Sequence, residues 1–202
     1  MSEDPHEAYG NIDIYLFDQL LKGTYQHCRN VLDIGCGGGR NLHYFLKNNY
    51  KVFGIDQSPD AINMVRALSA ALASTNPTEN FSVGSAEDLP FQNETFDLVI
   101  SSAVLHFAKD KAHFDAMIKE AFRVLKPGGY FFARLASDIG IETLVKSVGN
   151  DQYQLPDGSV RFLVNHEMLF ARTLKFGRLH EPIKTTNVQN LRCMTTWCVQ
   201  KR

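Results

Sequence analysis

Short apolar runs and helical stripes alternate along the first two thirds of the chain. Val31-Leu32-Asp33-Ile34 reads as a buried strand that runs into a Gly-rich stretch, and Leu42, Phe45 and Leu46 give the stripe of a following helix. Val52-Phe53-Gly54-Ile55 predicts a second strand. Ser58-Pro59-Asp60 then starts a helix, with Ser as N-cap, Pro at the first helical position and an acid in the first turn. Ala61, Met64, Val65, Leu68 and Leu72 continue it, and Asn76-Pro77 ends it. Phe81-Ser82-Val83 and Phe96 to Ser101 read as strands three and four. Phe114, Met117, Ile118, Ala121, Phe122 and Leu125 mark an amphipathic helix stopped by Lys126-Pro127-Gly128-Gly129, and Tyr130 to Leu135 read as strand five. Strands alternating with helices predict an α/β, doubly wound parallel sheet with helices on both faces.

Outside this region the rhythm changes. Residues 8–27 are expected to form a leading helix. Residues 137–164, with Gly140, Gly149, Pro156 and Gly158, carry little periodicity and predict an irregular segment. Asn165 to Phe176 reads as a helix closed by Gly177. Residues 178–188 and 191–200 read as two strands joined tightly at Gln189-Asn190, hence antiparallel.

A chain of 202 residues suits one α/β domain, and 44% apolar and 21% charged residues are those of an ordinary globular protein. The net charge of −1 lacks the basic excess that phosphate-gripping proteins carry, so nucleic acid is disfavoured as a partner. The acidic start has no apolar run. The longest apolar stretch, Leu98 to Phe107, is broken by Ser101 and Ser102 and falls short of a membrane span. Cys28, Cys36, Cys193 and Cys198 form no C-x-x-C pair, and the last two point to opposite faces of one strand. Reduced thiols and a cytoplasmic location are expected.

Candidate chemistry begins at Asp33-Ile34-Gly35-Cys36-Gly37-Gly38-Gly39. Glycines there let backbone approach a ligand, and a sheet of this design binds nucleotide-like ligands at its strand carboxyl ends. Asp56, directly after strand two, can accept both hydroxyls of a ribose. The dinucleotide pattern G-x-G-x-x-G would need glycine where Arg40 stands, which argues against NAD without excluding it.

Val31 to Arg40, Gly54-Ile55-Asp56-Gln57-Ser58-Pro59, Gly84 to Phe91, Phe96 to Ser101 and Arg123 to Gly129 resemble, in order and spacing, the motifs of class I S-adenosylmethionine-dependent methyltransferases. The resemblance implies a seven-stranded, mostly parallel sheet whose last strand is antiparallel. It also implies transfer of a methyl group from S-adenosylmethionine, leaving S-adenosylhomocysteine, to a small-molecule acceptor. Asp33, Gly35, Cys36, Gly37 and Gly39 would then line the methionine half. Asp56 would hold the ribose, Gln57 would lie along the adenine, Ala86 and Glu87 would border its edge, and Ser101 would lie near the methionine amino group or the sulfonium. Ser85 stands where relatives often carry Asp. On this reading residues 1–202 are one methyltransferase domain. It comprises the leading helix (8–27), a cofactor-binding core (28–136), a substrate-side segment and helix (137–176) and a C-terminal strand pair (177–202).

Methyl transfer needs positioning and exclusion of water more than covalent catalysis, so no nucleophile triad is required. His106, after strand four, is the candidate general base, against the reading of a packing histidine. Arg134, at the carboxyl end of strand five, suits a carboxylate or phosphate, against the reading of an ion pair with a neighbouring helix. Arg161 and His166 are further substrate candidates, and Tyr9 and Tyr15 could form a lid or simply pack. His166-Glu167 does not complete H-E-x-x-H, because Phe170 stands where the second His belongs, and no metal is expected. Ser101-Ser102-Ala103-Val104 replaces the Asp/Asn-Pro-Pro-aromatic of base-amine methyltransferases. A silent S-adenosylmethionine-binding protein and an RNA or protein methyltransferase are the alternatives.

Overall fold

Alternate residues of the first strand go to opposite sides. Leu32 and Ile34 join one apolar cluster and Val31 joins another, as a sheet covered on both faces requires. The computed structural model describes residues 4–202. Strands β1 (Asn30–Ile34), β2 (Lys51–Asp56), β3 (Phe81–Val83), β4 (Phe96–Ser102) and β5 (Leu125–Ser137) run parallel. The sheet continues through β11 (Arg192–Lys201), antiparallel to β5, and β10 (Lys184–Val188), antiparallel to β11. The order is β10-β11-β5-β4-β1-β2-β3. These seven strands are the expected sheet with an antiparallel last strand, and a short eighth strand, β9 (Gly177–Leu179), pairs with β11 off this path. Gln189 and Asn190 both have positive φ, 52° and 58°, the conformation a two-residue hairpin demands.

Helices α1 (Pro5–Tyr9), α2 (Ile14–Leu21), α3 (His43–Lys47) and α4 (Pro59–Leu72) precede β4, and α5 (Lys111–Val124) and α6 (His166–Phe176) follow it. Ser58 caps α4 through the Ala61 N–H, as its sequence predicts. The fully buried Trp197 of β11 donates from Nε1 to Thr173 Oγ1 at 2.9 Å, which ties α6 to the sheet. Trp197→Ala is expected to cost about 3–5 kcal/mol of stability, read as a lowered urea midpoint.

Three expectations are corrected. The leading helix is two helices, because the chain turns at Gly10 (φ 59°) and restarts at Asp13, whose carboxylate caps α2 through the Tyr15 N–H at 3.0 Å. Residues 137–164 contain an antiparallel three-stranded sheet, β6 (Lys146–Gly149), β7 (Gln152–Gln154) and β8 (Val160–Phe162). These strands are short and largely exposed, so they carry no hydrophobic alternation. The strand expected at 178–188 is split into β9 (Gly177–Leu179) and β10, both beside β11, with Pro182 in the break.

Candidate active site

The carboxyl ends of β1, β2 and β4 open onto a cavity of about 320 Å³, which Gly35, Asp56, Gln57, Ala86, Glu87 and Val104 help to line. The Gly-rich turn forms one wall. A Cβ on Gly39 (φ 86°) would come within 2.7 Å of Leu68 and 2.9 Å of Val65, so glycine there lets the turn sit against α4. A Cβ on Gly37 would meet nothing, and the Gly37 N–H is aimed at Asp56, donating to Oδ2 at 2.9 Å. Asp56 Oδ1 accepts the Ser58 N–H at 2.9 Å. Each carboxylate oxygen therefore has one fixed donor and further lone-pair capacity.

On the opposite wall His113 Nε2 lies 3.3 Å from the Glu87 carboxylate. Against the penalty of burial, hydrogen bonds from its own backbone, His113 and Ser85 hold Glu87 below the usual carboxylate range. Behind the turn, Asp33 is 1% exposed, and its Oδ1 has no partner. Burial pushes the Asp33 carboxyl up to about 8, with the Arg40 charge pulling against that rise and Asp56 adding to it.

A second cavity, about 430 Å³, shares Ala103 with the first in its lining. Ala103 has φ 64°, and its N–H donates to the Arg134 carbonyl at 2.7 Å. His106, Arg134, Arg161 and Arg192 line this second space. His106 Nδ1 accepts the Ala136 N–H at 3.2 Å, so the neutral ring carries its proton on Nε2. Burial, helped by the Arg161 charge, pushes the imidazole down to about 4. In this geometry the ring nitrogen that could take a proton is already accepting one hydrogen bond, as for a packing histidine.

Arg134 faces the second cavity and also pairs with buried Asp13 at 2.9 Å, while its guanidinium lies 5.2 Å from the Tyr15 ring centre. Asp13 also accepts from the Ser102 hydroxyl at 3.3 Å, and its N–H donates to Asn41 Oδ1 at 3.0 Å. The segment between α1 and α2 is thus latched onto β4, β5 and the stretch between the Gly-rich turn and α3. A further space of about 340 Å³ lies beneath it, bounded by Asn11, Gly37, Arg40 and Ser102. Asp13→Ala would leave Arg134 without its counter-ion. The expected cost is about 2–3 kcal/mol, with faster amide hydrogen exchange over residues 5–21.

The remaining candidates divide. Cys36 lines the third space but is 3% exposed and packs with Gly54 in the core, so its backbone is what the turn offers. Ser101 is fully buried with an unpartnered hydroxyl. Tyr9 packs on Phe17 and Tyr44 with ring centres 4.8 and 5.6 Å away, and Tyr15 bonds Thr186 at 2.6 Å, so neither is a lid over a cavity. His166 is exposed on the first turn of α6, outside the cavities.

Lys109 and His113 on the first cavity, and Arg192, Asp157 and Ser159 on the second, are not marked by any motif. For His113 a signal existed. Asp110 caps α5 through the His113 N–H at 2.7 Å, and a capped helix after β4 starts at the sheet's ligand edge. Among the described residues no group of three His, Cys, Asp or Glu side chains converges as metal ligands would, and no helix is long and apolar enough to cross a membrane.

Comparison with known proteins agrees with this architecture. An uncharacterized methyltransferase of Synechocystis sp. is 38% identical over 103 residues, 51% of this chain and 45% of that protein. Ajmaline N-methyltransferase of Rauvolfia serpentina is 38% identical over 101 residues, 50% of this chain and 33% of that enzyme. The match therefore spans less than half the length of these curated relatives. Among solved structures, an S-adenosylmethionine-dependent methyltransferase of Methanosarcina mazei superposes with a TM-score of 0.71 at 21% identity, covering 90% of this chain and 96% of that one, which speaks to the fold alone. A family model described as a methyltransferase domain matches residues 32–133, half of the chain, from β1 through most of β5. With that match lying on a sheet whose strand ends carry the Gly-rich turn and Asp56, the chain belongs to the methyltransferase-domain family.

Proposed function

We propose that this chain transfers a methyl group from S-adenosylmethionine to a small-molecule acceptor. The observation that carries the proposal is Asp56, held at the mouth of β2 by the Gly37 and Ser58 N–H groups with acceptor capacity turned to a cavity of about 320 Å³. The residues present fit the cofactor. The unpartnered Asp33 oxygen is a buried acceptor lacking a donor, and S-adenosylmethionine carries an ammonium. Asp56 would accept the ribose hydroxyls, Gln57, Ala86 and Glu87 would border the adenine, and Gly35, Gly37 and Gly39 would let the methionine half lie against backbone. Bound there, the cofactor supplies a methyl on a cationic sulfur, open to displacement by an acceptor lone pair.

The second cavity, which lies across Ala103 from the first, is the proposed acceptor site, and residues 137–176 its substrate side. Its volume lies within the roughly 300–1,000 Å³ typical of small-molecule sites. His106 would orient the acceptor by donating from Nε2. His106→Gln, which keeps a donor, is therefore expected to lower kcat by less than about tenfold and to add no inflection to the pH–rate profile between pH 6 and 8. Four unpaired, buried cysteines support a reducing, cytoplasmic setting.

Calorimetry of the purified chain with S-adenosylhomocysteine, NAD and NADP tests the cofactor. Binding of the first and not the others is expected. Release of S-adenosylhomocysteine from S-adenosylmethionine in the presence of a metabolite extract tests turnover. Binding without any release would favour a catalytically silent member of the family.

A further inference from the structure

The second cavity is rich in donors and poor in acceptors. Arg161 spends one donor on the Val160 carbonyl at 2.6 Å and lies 5.0 Å from the Phe107 ring centre, with its other donors free. No carboxylate among the described residues comes within 4.0 Å of the Arg161 or Arg192 guanidinium, although after the Ser159 hydrogen bonds both charges help to hold the Asp157 carboxyl below the usual range. Arg134 Nε is buried and unpartnered, and His106 Nε2 has only a proton to offer. The one acid on the wall, Asp157, accepts the Ser159 N–H at 2.9 Å and hydroxyl at 2.6 Å, both on Oδ1. Ala136, Leu155 and Met194 complete the lining with apolar surface.

Arg134 and Arg161 are half-buried and Arg192 is exposed at the rim, and half-buried guanidinium donors without partners are costly unless a ligand or water satisfies them. The chain's net charge of −1 creates no general attraction for anions, so this local excess is specific to the cavity. We infer that the methyl acceptor is a small organic anion, with an apolar body against Leu155 and Met194, a carboxylate or phosphate held by Arg161 and Arg192, and its nucleophilic atom directed to the junction at Ala103. This rests on the methyl-transfer reading above. It adds the chemical class of the acceptor and assigns Arg192 and Arg161 as its specificity residues. Arg134, committed to Asp13 on one side, would contribute its Nε.

The test measures binding, so it does not depend on guessing the true acceptor. The chain saturated with S-adenosylhomocysteine is titrated with benzoate, hexanoate and phenyl phosphate, each against its uncharged counterpart (benzamide, hexanamide and phenol), by saturation-transfer NMR. At least one anion is expected to bind about tenfold or more tightly than its counterpart, as the loss of a charge-assisted pair implies. Whichever of carboxylate and phosphate binds more tightly identifies the anchor. The Arg161→Gln/Arg192→Gln double variant should erase that preference, with circular dichroism and S-adenosylhomocysteine affinity unchanged, while Arg161→Lys/Arg192→Lys should keep part of it. Equal binding of charged and uncharged probes, or a preference that survives the double Gln variant, overturns the inference. Failure of the methyl-transfer reading would look different: no binding of S-adenosylhomocysteine by the wild-type chain, whatever the anions do.

Discussion

Asp56→Ala is expected to weaken S-adenosylhomocysteine binding by about 100-fold or more. Two hydroxyl-to-carboxylate hydrogen bonds would be lost, each contributing on the order of 1.5–3 kcal/mol, and about 1.4 kcal/mol corresponds to tenfold in affinity. A second effect adds to the first. Asp56 also receives the Gly37 and Ser58 N–H groups, both at 2.9 Å, so the variant loses the brace that sets the Gly-rich turn against the end of β2. Asp56→Asn keeps an acceptor at one position and should lose less. Calorimetry on both variants, with thermal melts to confirm folding, measures the difference. Wild-type affinity in Asp56→Ala would sink the ribose assignment.

The second large effect belongs to Asp33. Its carboxyl, raised to about 8 by burial, keeps a proton in the folded chain that the unfolded chain releases near pH 4. The folded state therefore binds more protons across the window from about pH 4 to 8, and stability of the unloaded chain falls as pH rises through it. His106 works in the opposite sense. Its depressed pKa means that the unfolded chain takes up a proton first, so stability falls as pH drops from about 6.5 towards 4. Bringing the cofactor's ammonium to Asp33 would expel the proton, so S-adenosylhomocysteine should bind more tightly with rising pH, by up to about tenfold per pH unit between pH 5 and 8. Calorimetry in buffers of different ionisation enthalpy would register the released proton. Asp33→Asn removes the ionisable group. It should flatten both pH dependences, raise stability of the unloaded chain at pH 8 by about 1–3 kcal/mol, and weaken cofactor binding by about tenfold or more. A pH-independent affinity in the wild type would show that no cation meets this carboxylate.

Much of the proposed cofactor half was legible before any coordinates because its signals are local. Gly35 to Gly39, Asp56 and Ala86-Glu87 sit where a strand stops, and strand ends announce themselves through apolar periodicity and turn residues. Lys109 and His113 share that cavity but lie on the strand-to-helix connection after β4 and in the first turn of α5, where only a helix cap pointed to them. The proposed acceptor side was less legible. Arg134 was found as a residue at a strand end, but its counter-ion Asp13 lies 121 positions away, and no local pattern links the two. Arg192 begins the last long strand and looks like any exposed strand arginine until β11 lies beside β5.

By itself the sequence determined the doubly wound core, the hairpin at Gln189-Asn190, the capped α4 and the ligand edge of the sheet, because periodicity, caps and turn chemistry act between neighbours along the chain. Only the tertiary structure decided that residues 137–164 form a sheet of exposed strands, that Asp13 latches the leading helices, that His106 Nδ1 is taken up by the Ala136 N–H, and that three arginines from distant segments share one cavity. Those outcomes depend on packing and hydrogen bonds between residues far apart in the chain, and no periodicity records such pairings.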